Sequence, residues 1–359
     1  NWSKYNDKIM VTDIVKIFVP TIIAFVTGIA ITPLVTHFLY KNKMWKNKSV
    51  SMATDGRNAP ISQKLHNDEG NKKPRMGGIV VWGSVAITTL LLWLASVVDG
   101  PIGDKLNFLS RNQTWILLFT LLMGAFIGLI DDYFDIVGYH DQKAGGLSAK
   151  KRLFAVVLIG LVASSWFYFK LGVSEVHIPF WGMLDLGYLF IPFFLIVMVG
   201  IYSGGVIDGL DGLSGGIFAS IFSAYGIIAF MQSQIDIAAF SFTIVGAVLA
   251  FLWFNIPPAR FILSETGTMS LTTTLTVIAF LTGQVIVLPI IAFMLVLAAG
   301  SSAIQLLSKK FRGGKKIFLV APIHHHFQAM GWPAYKVTMR FWILSMISAT
   351  VGLIVALIG

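Results

Sequence analysis

Apolar and polar positions alternate along this chain in long blocks rather than in helical stripes or strand-like pairs. Ten runs are almost wholly apolar: Ile14–Leu39, Gly77–Val98, Trp115–Ile130, Leu153–Leu171, Leu189–Ile207, Gly215–Met231, Ile237–Phe254, Ser270–Leu288, Ile290–Leu307 and Val337–Ile358. A helix needs roughly 20 such residues to cross the hydrocarbon core of a bilayer. The pattern therefore predicts an all-α integral membrane protein of about ten transmembrane helices in one polytopic domain, residues 1–359. Pro20, Pro33, Gly83 and Pro192 lie inside these runs, where membrane helices tolerate them. The eighth and ninth runs meet at Pro289. The first run is too long for a signal peptide. Between the fourth and fifth runs, β-branched and aromatic residues around Pro179 and Gly182 in Val173–Tyr188 predict a small external hairpin.

Composition agrees. Of 359 residues, 56% are hydrophobic and 12% charged, against roughly 25% charged in soluble domains. A soluble globular fold, a coiled coil and a disordered chain are all excluded. Cysteine is absent, which removes disulfides, thiolate metal sites and cysteine nucleophiles.

The formal net charge of +10 would suggest nucleic acid if it were spread over one face. It is not. With ten spans, alternate loops hold 21 of the 27 Lys and Arg, chiefly in residues 40–76, 131–152 and 308–340. The positive-inside rule places these loops in the cytoplasm and both termini outside. Orientation accounts for the charge, and no nucleic-acid partner is needed.

Five carboxylates sit against the ends of apolar runs on that same side. Asp131 and Asp132 close the third run in GLIDDYFD. Anions at a helix C-terminus are disfavoured by about 0.3–1 kcal/mol each, and neighbouring anions raise each other's pKa, so the pair calls for a cation. Asp208 and Asp211 lie in GGVIDGLDGLSGG, whose six glycines in thirteen residues let backbone approach a ligand closely and which holds no Lys or Arg. A spacing of three puts both acids on one face if the segment is helical. Glu265 follows Asn255 by ten residues in FNIPPARFILSETGTMS. The last loop holds His324, His325 and His326 after a run of five Lys and Arg. Three adjacent histidines cannot all face one metal from a regular helix, so a zinc site is a poor reading, and hydrogen bonding to phosphate or sugar is better.

Carboxylates gathered with Lys and Arg describe a site for a divalent metal and phosphates. Mg²⁺ takes one or two carboxylates and completes its octahedron with phosphate and water, and it neutralises charge on a transferring phosphoryl group. No GxxxxGK[ST] loop is present, which argues against a P-loop NTPase. A cation-coupled transporter would spread its carboxylates through the depth of the bilayer. Here they gather at one set of helix ends.

These residues carry a resemblance. From PRMGG (Pro74–Gly78) through GLIDDYFDI, DGLDGLSGG, FNIPPA and the ETG segment to APIHHHFQAMGWP, the chain resembles the polyprenyl-phosphate N-acetylhexosamine-1-phosphate transferases nearly end to end. The HHH block is similar to the muramoyl-pentapeptide branch and argues against a UDP-GlcNAc enzyme or another UDP-sugar transferase. The resemblance implies a dimeric enzyme of the bacterial cytoplasmic membrane. It would need Mg²⁺ and move phospho-MurNAc-pentapeptide from UDP-MurNAc-pentapeptide to undecaprenyl phosphate, giving lipid I and UMP at a cytoplasmic cleft. It also implies Asp131 as base or nucleophile with Asp132 and Asp211 beside it, and Asp131 and Glu265 as metal ligands. Lys73, Asp208, Gly209, Leu210, Asn255, Gln305, His324, His325 and His326 are the implied substrate contacts. Direct attack by the lipid phosphate and a phospho-enzyme route both fit. The chain departs from the family's pattern at Tyr202 and Gly205, where two Asn are usual, at Ile262 and Glu265, which replace Phe and Asp, and at Asp135, which replaces Lys.

Overall fold

A computed structural model of the chain describes residues 2–45, 73–98, 101–109, 112–138 and 146–359. Most of the basic loop predicted over residues 40–76 lies outside the described residues.

The described chain is helical apart from one hairpin. Helices α1 (Trp2–Lys41), α2 (Gly78–Val98), the short α3 (Pro101–Leu106), α4 (Asn112–Val137) and α5 (Ala149–Ser165) come first. Strands β1 (Glu175–Ile178) and β2 (Gly182–Asp185) then form the expected antiparallel hairpin, with Glu175 opposite Asp185 and Ile178 opposite Gly182. Helices α6 (Phe190–Ser203), α7 (Leu213–Met231), α8 (Ile235–Asn255), α9 (Ser264–Leu281), α10 (Leu288–Ile291), α11 (Phe293–Phe311), α12 (Ile323–Ala329) and α13 (Ala334–Ile358) follow.

Among the described residues, eight helices are long and apolar enough to cross a membrane, and they coincide with the first seven predicted runs and the tenth. Outward-facing Ile22, Val26 and Leu34 of α1 and Ile343, Ile347 and Ile354 of α13 are exposed, as lipid-facing residues of a membrane protein are. The eighth and ninth runs are helical but differ from expectation. The eighth begins six residues early, at Ser264, and the ninth is split into α10 and α11. Helix α9 is too polar to count as a span by composition, yet nearly every residue of it is buried.

The placement of α9 explains this. It packs along α4 in the middle of the bundle, where no water reaches its six threonines. Four of the hydroxyls return to the helix's own carbonyls instead: Thr272 to Thr268 at 2.7 Å, Thr273 to Met269 at 2.8 Å, Thr274 to Ser270 at 2.8 Å and Thr276 to Thr272 at 3.1 Å. This satisfies groups that would otherwise be costly in an apolar interior. Hydroxyls also tie α9 to α4: Ser270 donates to the Leu121 carbonyl at 3.0 Å, and Thr273 lies 3.2 Å from that of Thr120 as well. The helices touch backbone to backbone at Gly128, where a Cβ would lie 2.3 Å from the carbonyl oxygen of Glu265. The tight α4–α9 seam is what sets the N-terminus of α9 beside the acidic end of α4.

Candidate active site

The acidic end of α4 is longer than the apolar run suggests. The helix continues to Val137, so Asp131 and Asp132 lie more than a turn before its end. The macrodipole penalty falls on Asp135 rather than on the pair. All three carboxylates are buried; Asp132 and Asp135 share Arg75, and Asp131 faces Arg152.

Asp132 faces the first turn of α9. One of its oxygens accepts from the Thr266 backbone N–H at 3.0 Å and the Thr266 hydroxyl at 2.6 Å, and also from the Ser264 hydroxyl. An anion at a helix N-terminus is favourable, so α9 supplies the positive end that α4 cannot. The other oxygen stands 3.4 Å from Nε of Arg75, whose Nη1 also pairs with Asp135. Arg75 is held there by backbone pairing. Gly77 and Gly78 donate to the carbonyls of Ile262 and Leu263 at 2.9 and 3.0 Å, and Ile262 donates back to Pro74 at 3.0 Å. The PRMGG segment is thus zipped onto the segment that opens α9.

Asp131 faces away from that network. Its Oδ1 accepts from the Leu147 N–H at 2.7 Å, and its Oδ2 lies 3.8 Å from Nη1 of Arg152. The same nitrogen donates to Glu265 at 2.7 Å. Asp131 and Glu265, the two implied metal ligands, therefore converge on one cation position. Burial pushes the Glu265 carboxyl up to about 7, with Arg152 pulling it down and Asp131 pushing it further up. Among the described residues no three or more His, Asp or Glu side chains are grouped to hold a metal.

The DGLDG loop lies opposite. It follows a 3₁₀ turn (Gly204–Ile207) and is itself built of tight turns, not a helix, and its two acids diverge instead of sharing a face. Asp208 accepts from the Ser264 N–H at 2.6 Å and the Ser214 hydroxyl at 2.7 Å. Burial pushes its carboxyl above the usual carboxylate range, against the pull of those two hydrogen bonds and of Arg75. Asp211 pairs with Lys73 at 2.6 Å and accepts from the Ala259 N–H at 3.1 Å. Leu210, between them, packs partly buried against the core.

Two predicted contacts use their polar groups to brace loops. Asn255 accepts from the Gly212 N–H at 2.9 Å and donates to the Phe261 carbonyl at 2.8 Å, which ties the DGLDG loop to the turn before α9. Gln305 accepts from the Ile317 and Phe318 N–H groups at 3.0 Å and donates back to the Phe318 carbonyl at 2.8 Å. The histidines lie on the short helix α12, which separates them as expected. His324 and His325 lie 4.3 Å apart between ring centres, tilted at 57°, directly over Gly209, where a Cβ would come within 2.3 and 2.7 Å of their Nε2 atoms. His326 turns aside to accept from the Leu319 N–H at 3.1 Å and to meet the edge of Phe318.

The site thus gathers Asp131, Asp132, Asp208, Asp211 and Glu265 with Lys73, Arg75 and Arg152, and sets His324 and His325 at one edge. Sequence reasoning passed over Arg75, Arg152, Ser264 and Thr266. Arg75 lay in a quoted motif, but nothing local distinguished Arg152 from the other basic loop residues.

The glycosyl transferase family 4 profile matches residues 114–283, from α4 to the end of α9. A phospho-N-acetylmuramoyl-pentapeptide-transferase of Listeria innocua is 32% identical over 337 residues, covering 93% of this chain and 96% of the relative. Proteins of the same name from Anoxybacillus flavithermus and Chloroflexus aggregans are 33% and 30% identical, over 92% and 98% of this chain. The chain belongs to the phospho-N-acetylmuramoyl-pentapeptide-transferase family. It is a multi-pass membrane protein and an enzyme of that family. Glu265, one of the positions named above as a departure, is bonded to Arg152 at 2.7 Å, and the charges of both act on the Tyr202 hydroxyl.

Proposed function

We propose that the chain transfers phospho-MurNAc-pentapeptide from UDP-MurNAc-pentapeptide to undecaprenyl phosphate at the cytoplasmic face of the bacterial inner membrane, as a homodimer, forming lipid I and releasing UMP. Family membership supports the reaction and the charge bias of the loops supports the orientation. The observation that carries the site is the convergence of Asp131 and Glu265 on a single cation position at the mouth of a membrane bundle.

That convergence fits Mg²⁺, which needs only one or two carboxylates when substrate phosphate completes its shell. Asp131 and Glu265 would hold it. Bound there, the ion would neutralise charge developing on the donor diphosphate. The remaining work falls to the chain. Asp131, fixed by the Leu147 N–H, takes the proton of the lipid phosphate. A lipid phosphate oxygen then bonds to the β-phosphorus of the donor as its bond to the bridging oxygen breaks, and UMP leaves with that oxygen. Lys73 and the imidazoles of His324 and His325 supply donors to the nucleotide and sugar. Asp132, fully engaged by α9 and Arg75, positions its neighbours without reaching substrate. Direct attack is preferred because a bound phosphate dianion is already a nucleophile.

The test is UMP release by purified protein in detergent, with undecaprenyl phosphate and either UDP-MurNAc-pentapeptide or UDP-GlcNAc, with and without Mg²⁺. Mg²⁺-dependent release with the muramoyl donor alone is expected. Release with UDP-GlcNAc instead would move the chain to a neighbouring donor class, and release unchanged by chelation would remove the metal.

A further inference from the structure

The cation position between Asp131 and Glu265 is held here by a guanidinium. Arg152 stands in the first turn of α5. The segment before it is tied to the same carboxylate, since Leu147 donates to Asp131 and a Cβ at Gly146 would lie 2.9 Å from its Oδ1. The approach of Arg152 to the pair is therefore set by backbone.

Two arginines serve this site, and they differ in the carboxylates they hold. Arg75 spans Asp132 and Asp135, whose side chains are 0% and 6% exposed, while its own is 23% exposed and its Nε makes no hydrogen bond. Arg152 lies at the rim. Its own side chain is 25% exposed and that of Glu265 23%. It binds Glu265 through Nη1 alone, and its Nε is buried without an acceptor. What sets Arg152 apart is its place: it is bonded through Nη1 to Glu265 at 2.7 Å and stands 3.8 Å from Asp131, between the two carboxylates assigned to the metal. The fork suits phosphate as well as carboxylate.

We propose that Arg152 is an exchangeable counter-cation: it screens Asp131 from Glu265 before the metal enters, yields that position to the divalent ion, and turns its guanidinium to the diphosphate of the donor. This rests on the assignment of Asp131 and Glu265 to the metal, and adds a substrate-positioning role for a residue that neither sequence motif nor spacing singles out. Glu265 belongs to the same device. Its extra methylene, relative to Asp, lets it reach an arginine and an ion in turn.

The probe is Mn²⁺ followed by electron paramagnetic resonance on the full-length protein in detergent, without nucleotide. Arg152→Gln removes a like charge from beside the ion and is expected to bind Mn²⁺ at least about tenfold tighter than wild type, the scale on which a charge at that range shifts a carboxylate. Arg152→Lys keeps the charge and should stay near wild type. A gain in affinity cannot come from misfolding, so the readout survives a loss of stability. In Mn²⁺-saturated protein, Arg152→Gln should bind UDP at least about tenfold more weakly, with UMP nearly unchanged. Equal or weaker Mn²⁺ binding by Arg152→Gln, or unchanged UDP binding, would overturn the exchange while leaving the metal site standing. No Mn²⁺ binding by any of the three proteins would overturn it together with the metal assignment, whereas the donor assay above judges the transferase reaction separately.

Discussion

Asp132 and Asp131 are neighbours in sequence but make different contacts, and Asp132→Asn tests the division of labour proposed for them. Asp132 is fully buried. One oxygen takes three donors from the opening of α9, at 3.0 and 2.6 Å from Thr266 and from the Ser264 hydroxyl, while the other faces Arg75 Nε at 3.4 Å. An asparagine can keep its carbonyl toward Thr266 and Ser264 only by turning its NH₂ toward Arg75, donor against donor. The charge that α9's N-terminus and Arg75 both favour is lost as well. Breaking a buried ion pair costs about 3–5 kcal/mol. The lower end applies because Arg75 retains Asp135, so about 3 kcal/mol is expected. At about 2 °C per kcal/mol, the low end for large domains, the thermal midpoint should drop by about 6 °C. The assay is a thermal melt in detergent by intrinsic tryptophan fluorescence, run beside Asp131→Asn. The latter leaves the α9 network intact and should keep its midpoint within about 2 °C of wild type while losing about 10²–10⁴-fold in turnover as the proton acceptor disappears. An Asp132→Asn protein that melts like wild type, or an Asp131→Asn protein that turns over normally, would refute the division of labour.

Gly209→Ala would bring a Cβ to within 2.3 Å of His324 Nε2 and must push the imidazoles off the loop. Turnover should fall about 10²-fold, the scale of an ångström's misplacement, with little change in melting, as paired kinetic and melting measurements will tell. Gly128→Ala strikes the α4–α9 seam at the Glu265 carbonyl. It should cost about 1–3 kcal/mol in stability and weaken Mn²⁺ binding, measurable by melt and paramagnetic resonance. Stability of metal-free protein should also depend on pH. Glu265 titrates at about 7 against an ordinary 4.5, so between those values the folded state holds a proton that the unfolded state has released. Stability is therefore lost as pH rises from about 5 to 7.5. Mg²⁺, which favours the charged form, should raise the midpoint more at pH 7.5 than at pH 5.5, and Glu265→Gln should flatten both trends in the same melts.

The apolar blocks, the one-sided distribution of Lys and Arg and the hairpin around Pro179 were readable from the sequence because they are local sums. A run of about 20 apolar residues has few fates, and loop charge sets orientation whatever the helices pack against. The acidic segments were readable for a related reason, since carboxylates beside membrane helices are expensive and stand out. What each carboxylate does was decided only in three dimensions. Lys73 meets Asp211 across 138 residues and Arg152 meets Glu265 across 113, and no spacing within a segment encodes such pairs. The apolar run ending at Ile130 hid the rest of α4, and the threonines of α9 hid a buried helix, because hydroxyls bonded to their own backbone behave in the fold as though they were apolar. Asn255 and Gln305 carry polar groups suited to a ligand, and only the fold shows that these groups also pair with backbone N–H and C=O groups of neighbouring loops. The tertiary packing thus divided one conspicuous acidic cluster into two sets of contacts, Asp132 with Arg75 and the first turn of α9, and Asp131 with Glu265 around Arg152.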